Sequence, residues 1–255
     1  MFFRSEYRFY PSLNLSGCLL VDPEGKNFVL DTETANTHPT ETGLDMSDVL
    51  PYDIGFAVID SHGRVYEKYS FVNSDIFYHE AELMKSAYYA KKIPQYLNDI
   101  LNGYREVANT YEIRKALVDV INKYNCVFIC AHNARFDNTA LNNIQRWTTK
   151  SKYRYFVPYG IEWWDTLKMA RDVLGSMPTY RIFCEENGYI TKNGQLRFTA
   201  EIIYRYITKN NDFVESHTGL EDVMIEKEIL AYCYKQHKKM CRKLRKKYSI
   251  KKCRI

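Results

Sequence analysis

The sequence predicts an α/β fold, a mixed β-sheet flanked by helices, on three observations. Short apolar runs with strand-like alternation follow Lys26, and helical spacing of apolar residues takes over past Ser74. From there strands and helices alternate. Phe28, Val29 and Leu30 form a short buried strand leading into Asp31. A polar loop rich in Thr, Asn and Pro separates it from residues 52–60 (YDIGFAVID), which read as a second strand. Ser61, His62 and Gly63 make a turn, and residues 64–72 (RVYEKYSFV) alternate like a third strand, completing an antiparallel meander.

The helical half begins at residues 74–96, where Phe77, Ala81, Leu83, Met84 and Ala87 share one stripe until Pro94 breaks it. A second helix spans about 111–124 on Ile113, Ala116, Leu117, Val120 and Ile121. Residues 126–131 (CVFICA) are a compact buried strand, and 134–147 return to helical spacing, with Asn133 as candidate cap. A short strand at 161–164 precedes Asp165, and helices follow at 166–174, 180–187 and 199–206. A last helix starts near Thr218 and runs into the basic tail. The domain plan is an N-terminal extension (1–25), one catalytic-sized domain (26–236) and a basic C-terminal tail (237–255).

The chain of 255 residues is 45% hydrophobic and 26% charged, enough apolar material for one substantial core. The net charge of +5 hides a contrast. Residues 238–255 carry ten basic residues and no acid, a +10 tail on a body of −5. Such a tail suits counterion-releasing contacts with phosphates, or simply a solvated terminus. Seven scattered cysteines without paired zinc-finger spacing argue against a disulfide scaffold or structural zinc and read as reduced thiols. No signal peptide or membrane-length apolar run is visible, which predicts a cytoplasmic protein with no membrane partner.

Three polar constellations carry the chemistry. In residues 26–38 (KNFVLDTETANTH), Asp31 and Glu33 stand two apart, so an extended chain points both carboxylates the same way. A hard divalent ion would neutralise them, although solvated loop acids look the same in isolation. In 131–137 (AHNARFD), Asp137 falls in the first turn of a helix after a buried strand. The helix dipole favours an acid there, and sheet proteins gather sites at that edge. In 217–222 (HTGLED), Thr218 and Glu221 have capping-box spacing, which leaves His217 on a loop able to reach the place Asp222 reaches from the first turn. Asp165 reads as a helix cap, His132 as an ordinary strand-end histidine and Phe136 as core.

In this order the motifs resemble the DEDDh group of the DnaQ-like exonucleases, relatives of polymerase proofreading subunits and RNase T. DTET at Asp31 and Glu33 matches the first motif, HNARFD at Asp137 the second, and His217 with Asp222 the third. The longer stretches look most like bacterial and phage-encoded members. The resemblance implies a ribonuclease-H-like sheet and hydrolysis of phosphodiester bonds from a 3′ end, releasing nucleoside 5′-monophosphates. It implies Asp31, Glu33, Asp137 and Asp222 as ligands of two Mg²⁺ ions (Mn²⁺ able to substitute), with Asp31 as bridge. His217 would be the proton acceptor. The implied partner is nucleic acid, as a single strand or 3′ end, DNA before RNA, with a polymerase or replication protein as a further partner. RNA trimming is the first alternative, and a non-catalytic nucleic-acid-binding module the second. Segments 35–50 and 74–109 look longer than in compact members and could line the substrate groove.

Overall fold

The computed structural model describes residues 25–36, 38–40, 43–87 and 90–244. The extension expected at 1–25 falls outside them apart from Gly25, as does the tail from 245 on. β1 (Asn27–Ala35) is followed by a small hairpin, β2 (His38–Thr40) and β3 (Gly43–Asp45), and then by β4 (Leu50–Ile59) and β5 (Val65–Asn73). β4 pairs antiparallel with both β1 and β5, the meander the alternation predicts.

Next come α1 (Ser74–Phe77), α2 (Ala81–Ser86), a 3₁₀ turn (Ala90–Lys92) and α3 (Ile93–Leu101). The stripe at 74–96 is therefore several short helices, not one. Pro94 sits in the first turn of α3 and starts a helix, because a missing N–H costs nothing there. β6 (Glu106–Ala108) pairs parallel with β5. α4 (Thr110–Tyr124) is held by a complete capping box between Asn109 and Glu112.

β7 (Phe128–Ala131) lies parallel to β1, and after α5 (Arg135–Thr149), β8 (Glu162–Asp165) lies parallel to β7. The chain closes with α6 (Thr166–Leu174), α7 (Pro178–Glu186), α8 (Ala200–Thr208) and α9 (Gly219–Lys235). The main sheet runs β6-β5-β4-β1-β7-β8, so β1 is central, antiparallel on one side and parallel on the other.

Side chains of β1 alternate between two cores. Phe28 and Leu30 join Ile113 and Leu117 of α4 and Leu141 and Ile144 of α5. Val29 points the other way, to Met169 of α6, Ile203 of α8 and Ile229 of α9. By the same period Asp31 and Glu33 continue the Val29 face, toward α9, while Thr32 faces α5. α9 runs antiparallel to β1, and its far end is pinned where the Tyr234 hydroxyl donates to Asn27 Oδ1 at 2.9 Å.

α9 does not run on into the basic tail. It stops at Lys235, and the chain turns back along the sheet edge, where Asp165 N donates to the Arg242 carbonyl at 2.8 Å and Leu244 N to that of Trp163 at 2.9 Å. The Arg242 guanidinium lies over the rings of Trp164 and Tyr234. The first part of the tail thus covers an edge strand that would otherwise offer unpaired backbone groups. Five described cysteines are free thiols. Among the described residues no helix is long and apolar enough to cross a membrane.

Candidate active site

Three chain segments that are distant in sequence meet at the C-terminal half of β1. Asp31 and Glu33 come from the strand, Asp137 from the first turn of α5, and Asp222 from the first turn of α9, with His217 on the loop before it. All five line one cleft of about 530 Å³. Glu33, His217 and Asp222 each place a ligand atom within 4.8 Å of the others. His217 has φ 51°, a left-handed conformation that breaks the chain direction just before the helix and frees the ring from the helical turn.

Asp137 is fixed by the opposite face of β1, its Oδ1 accepting from Thr32 N at 3.1 Å and Thr32 Oγ1 at 2.9 Å. The D-T-E triplet therefore serves twice, with its acids facing α9 and its threonine reaching α5. Asn133 does not cap α5. It takes φ 68°, its N–H goes to Asp165 Oδ1 at 3.2 Å, and the cap position falls to Ala134 without a side-chain bond. Asp165 also accepts from Leu167 N at 3.1 Å, the cap expected of it. His132 is committed to structure, bonding Thr166 Oγ1 and the Phe198 carbonyl through its ring. Phe136 lies on the cleft wall and is only half-buried, not sealed in a core.

Two acids the sequence reading passed over belong to the site. Glu226 stands one helical turn beyond Asp222, is 2% exposed, and accepts from His132 N at 2.9 Å through Oε1. An acid at that spacing inside a stripe of Val223, Ile229, Leu230 and Cys233 is the signal that could have found it. Glu215, upstream of His217, lines the cleft and approaches the His217 ring at 3.7 Å.

Burial without compensation dominates the electrostatics. Burial and the charges of Asp137, Glu226, Asp222 and Glu33 push the Asp31 carboxyl well above its usual range. Burial, with Asp222 next, does the same to Glu33, and burial with Asp137 to Glu226. Burial raises Asp137 to about 7 against its Thr32 bonds, and burial with Glu215 raises Asp222 to about 8. Lys92 opposes this for Glu33 and Asp222. Its ammonium also donates to the His217 carbonyl at 3.2 Å. Burial and Lys92 draw His217 below its usual value, favouring the neutral ring that can accept a proton.

The donor set fits a divalent cation. Asp222 Oδ1 and Glu226 Oε2 are buried with no hydrogen-bond partner. Buried carboxylate oxygens left this way need a cation or a proton. Carboxylate oxygens of this kind suit Mg²⁺ or Mn²⁺.

The start of α9 is held from the other side by a buried ion network. Asp53 Oδ2 on β4 accepts from Gly219 N at 2.8 Å, Tyr96 Oη at 2.6 Å and Arg105 Nη1 at 3.2 Å. Arg105 also binds Asp99 at 3.1 Å and Glu221 at 2.9 Å. Glu221 accepts from the Thr218 hydroxyl at 2.8 Å, so the expected Thr218–Glu221 capping box does not form and Asp53 takes the helix N–H instead. Glycine is required on both sides of this contact. A Cβ on Gly219 would lie 2.8 Å from Gly55 N, and one on Gly55 only 2.3 Å from the Gly219 carbonyl carbon. None of the described residues of segments 35–50 and 74–109 lines the cleft. Instead 74–109 braces the site from behind, through Lys92, Tyr96 and Arg105.

The cleft is also lined by exposed Arg171 and Arg197 and half-buried Phe136 and Phe198, a mixture of cations and flat rings that suits a polynucleotide.

Fold and site together define a class, an α/β sheet with a carboxylate-lined cleft at the end of its central strand. No family model and no curated protein matches the chain. Among solved structures, the chain is similar to a full-length 3′-exonuclease, with TM-score 0.55 and 11% identity over 87% of this chain and 88% of that one. A 3′-exonuclease described in 3′-end-specific recognition of a histone mRNA stem-loop gives 0.54 and 10% over 85% and 84%. The nuclease domain of 3′hExo, a DEDDh family member bound to rAMP, gives 0.54 and 10% over 88% and 99%. At such identity the likeness is one of fold. The ribonuclease-H-like sheet the motifs imply is the fold this chain has, shared with 3′-exonucleases of the DEDDh group.

Proposed function

We propose that the chain is a divalent-metal-dependent 3′–5′ exonuclease that hydrolyses the terminal phosphodiester of a polynucleotide and releases nucleoside 5′-monophosphates. The observation that carries this reading is the meeting of Glu33, His217 and Asp222 within 4.8 Å beside Asp31 and Asp137. Asp31, Glu33, Asp137 and Asp222 would hold two Mg²⁺ ions, for which Mn²⁺ can stand in. When bound, the ions activate water and stabilise charge on the leaving 3′ oxygen.

The chain's own groups supply the rest. The neutral His217 ring accepts the proton of the attacking water, and the Lys92 bond to its carbonyl holds the loop that presents it. Thr32 fixes the Asp137 carboxylate, and the Asp53–Gly219 bond fixes the helix end from which Asp222 projects. Arg171 and Arg197 attract the phosphate backbone, and Phe136 and Phe198 offer faces for bases.

DNA is the substrate the sequence resemblance favours, in a protein of bacterial or phage type. RNA is the second reading. It is supported by two similar structures, one described with an mRNA stem-loop and one with rAMP. The test is 5′-labelled DNA and RNA oligonucleotides of one sequence, incubated with and without Mg²⁺. A ladder shortening from the 3′ end only with the ion is expected. Full-length substrate under every condition would overturn the exonuclease reading, and the faster of the two polymers names the substrate.

A further inference from the structure

A second charge imbalance lies outside the cleft, on α4 and α5, the helices that cover the opposite face of the sheet from α9. From Asn138 to Ile161 the chain carries Arg146, Lys150, Lys152 and Arg154 and no acid. The later part of this stretch is a loop laid back along α5. Phe156 N donates to Asn142 Oδ1 at 3.1 Å, and Phe156 and Val157 are buried in the core. That return brings Arg154 near Arg114 of α4, whose guanidinium is drawn below its usual value by burial and then by the Arg154 charge. It also sets the Arg146 guanidinium 5.6 Å from the centre of the Tyr155 ring. None of these residues lines the cleft.

The five cations have no counter-charge in the chain. Among the described residues none of them forms an ion pair, whereas Lys115 and Lys123 of the same α4 pair with Asp119 and Glu67. Nε of Arg114 and of Arg146 is buried without a hydrogen-bond partner. Flat rings stand among the charges. Tyr153 and Tyr155 are 78% and 59% exposed, held outward by the buried pair that follows them, and Lys152 Nζ lies 5.2 Å from the Tyr153 ring centre. Cations interleaved with exposed rings match a single-stranded polynucleotide, which offers a phosphate and a base face at every nucleotide. An acidic peptide would answer the charge and leave the rings unmatched.

The basic tail starts from the same region. Leu244 N donates to the Trp163 carbonyl, beside the strand that follows this loop, and residues 245–255 add six cations and no acid. α5 links the surface to the cleft. Asp137 lies in its first turn, and Arg146 follows about 13 Å farther along the axis at a rise of about 1.5 Å per residue.

We propose that Arg114, Arg146, Lys150, Lys152 and Arg154, with Tyr153 and Tyr155, form a second polynucleotide-binding surface that holds the upstream part of the strand whose 3′ end lies in the cleft. The inference rests on the exonuclease reading for the position of that 3′ end, and it deepens that reading. Long strands are then better substrates than short ones, because phosphate contacts on this surface add to binding without touching the chemistry.

The test is a triple variant, Lys150→Gln, Lys152→Gln and Arg154→Gln, at three exposed positions. Its control, Lys68→Gln, Lys123→Gln and Arg181→Gln, removes equal charge elsewhere. Binding of labelled single-stranded DNA and RNA of about thirty nucleotides, longer than a single-strand site on one small domain, is followed by fluorescence anisotropy over a range of salt, in EDTA to prevent cutting. The triple variant should keep the wild-type circular dichroism and bind both strands about tenfold or more weakly, with a salt slope shallower by about two, at about 0.7 per lost phosphate contact. The control should stay near wild type. With Mg²⁺, KM of the triple variant should rise for the long strand and not for a trinucleotide, at unchanged kcat. Wild-type affinity and slope in the triple variant would overturn the second surface, as would equal losses in variant and control. If wild type still shortens strands from the 3′ end in that event, the exonuclease reading stands and only this inference fails. Weaker binding by the triple variant of a protein that cuts nothing would keep the surface and end the exonuclease reading.

Discussion

Asp53 and Asp222 flank the first turn of α9, each 5% exposed or less, and they differ in what answers their charge. Asp53 Oδ2 has a guanidinium, a phenol and a backbone N–H within 3.2 Å. Burial still lifts its carboxyl, with Arg105 as the main opposing force. Asp222 shares its cleft with Asp31, Glu33, Asp137 and Glu226; Oδ1 of both Asp53 and Asp222 is buried without a hydrogen-bond partner, so what separates the two is the Arg105 guanidinium on Asp53. Lys92 is the cation that moderates Asp222. The first cluster carries its counter-charge within the chain, and so behaves as structure. The second leaves that place to a ligand.

This contrast makes opposite predictions for removing charge on its two sides. On the proposed reading, Asp222→Asn should lower turnover by about a thousandfold or more, since it would remove a ligand of the activating ion. In EDTA the same variant should melt at a higher temperature than wild type, because it removes a buried acid among other acids whose burial Lys92 only partly offsets. Calorimetry and the oligonucleotide assay on one preparation check both. A D222N protein that is less stable in EDTA would mean Asp222 is already compensated.

Arg105→Met should do the reverse to stability. It leaves Asp53 and Asp99 without their cation, one of them fully buried, at a cost of about 3–5 kcal/mol by urea unfolding. Turnover should fall too, because Asp53, Gly219 and Glu221 then lose their common register. If R105M unfolds at the wild-type urea concentration, the Asp53 cluster does not brace α9. His217→Ala is gentler than either. It should reduce kcat by about a hundredfold while KM stays near wild type, the signature of a lost proton acceptor and not a lost contact. An equal rise in KM would make His217 a substrate-binding residue instead.

The central strand and its acids were legible because their signals are local. Alternation along β1 fixes which side chains share a face, so Asp31 and Glu33 could be paired from sequence, and a left-handed His217 on a loop before α9 agrees with the cap at Thr218. What was not legible depends on tertiary approach. The Thr218–Glu221 spacing looks like a capping box, yet Arg105, 116 residues away in sequence from Glu221, claims that carboxylate. Pro94 reads as a break in one long helix, but the chain uses it as a start. Glu226 hid in an apolar stripe, because periodicity marks a face as buried without saying what else is buried there. The parts of 74–109 that brace α9 carry no motif, and only their contacts reveal them.

The smallest predicted effect follows the pH in the absence of metal. A carboxyl in an unfolded chain has a pKa of about 4. In the folded protein Asp137 stands at about 7 and Asp222 at about 8, and Asp31, Glu33 and Glu226 are also raised. Between about pH 4 and 8 the folded chain therefore holds protons that the unfolded chain has released, and stability falls as pH rises through the folded values. His217 and His132, drawn below their usual value, pull the other way, but they are two groups against the raised acids, which Glu215, at about 7, and Asp53 join. In EDTA the melting temperature should drop between pH 5 and pH 8, on the order of 5 °C for a chain of this size. Mn²⁺ should reverse the trend, since it binds the deprotonated acids and raises the melting point more at pH 8 than at pH 5. D222N should flatten the slope in EDTA and R105M should keep it. Equal slopes in wild type and D222N would place the protons elsewhere, and the contrast between the two clusters would lose its electrostatic basis.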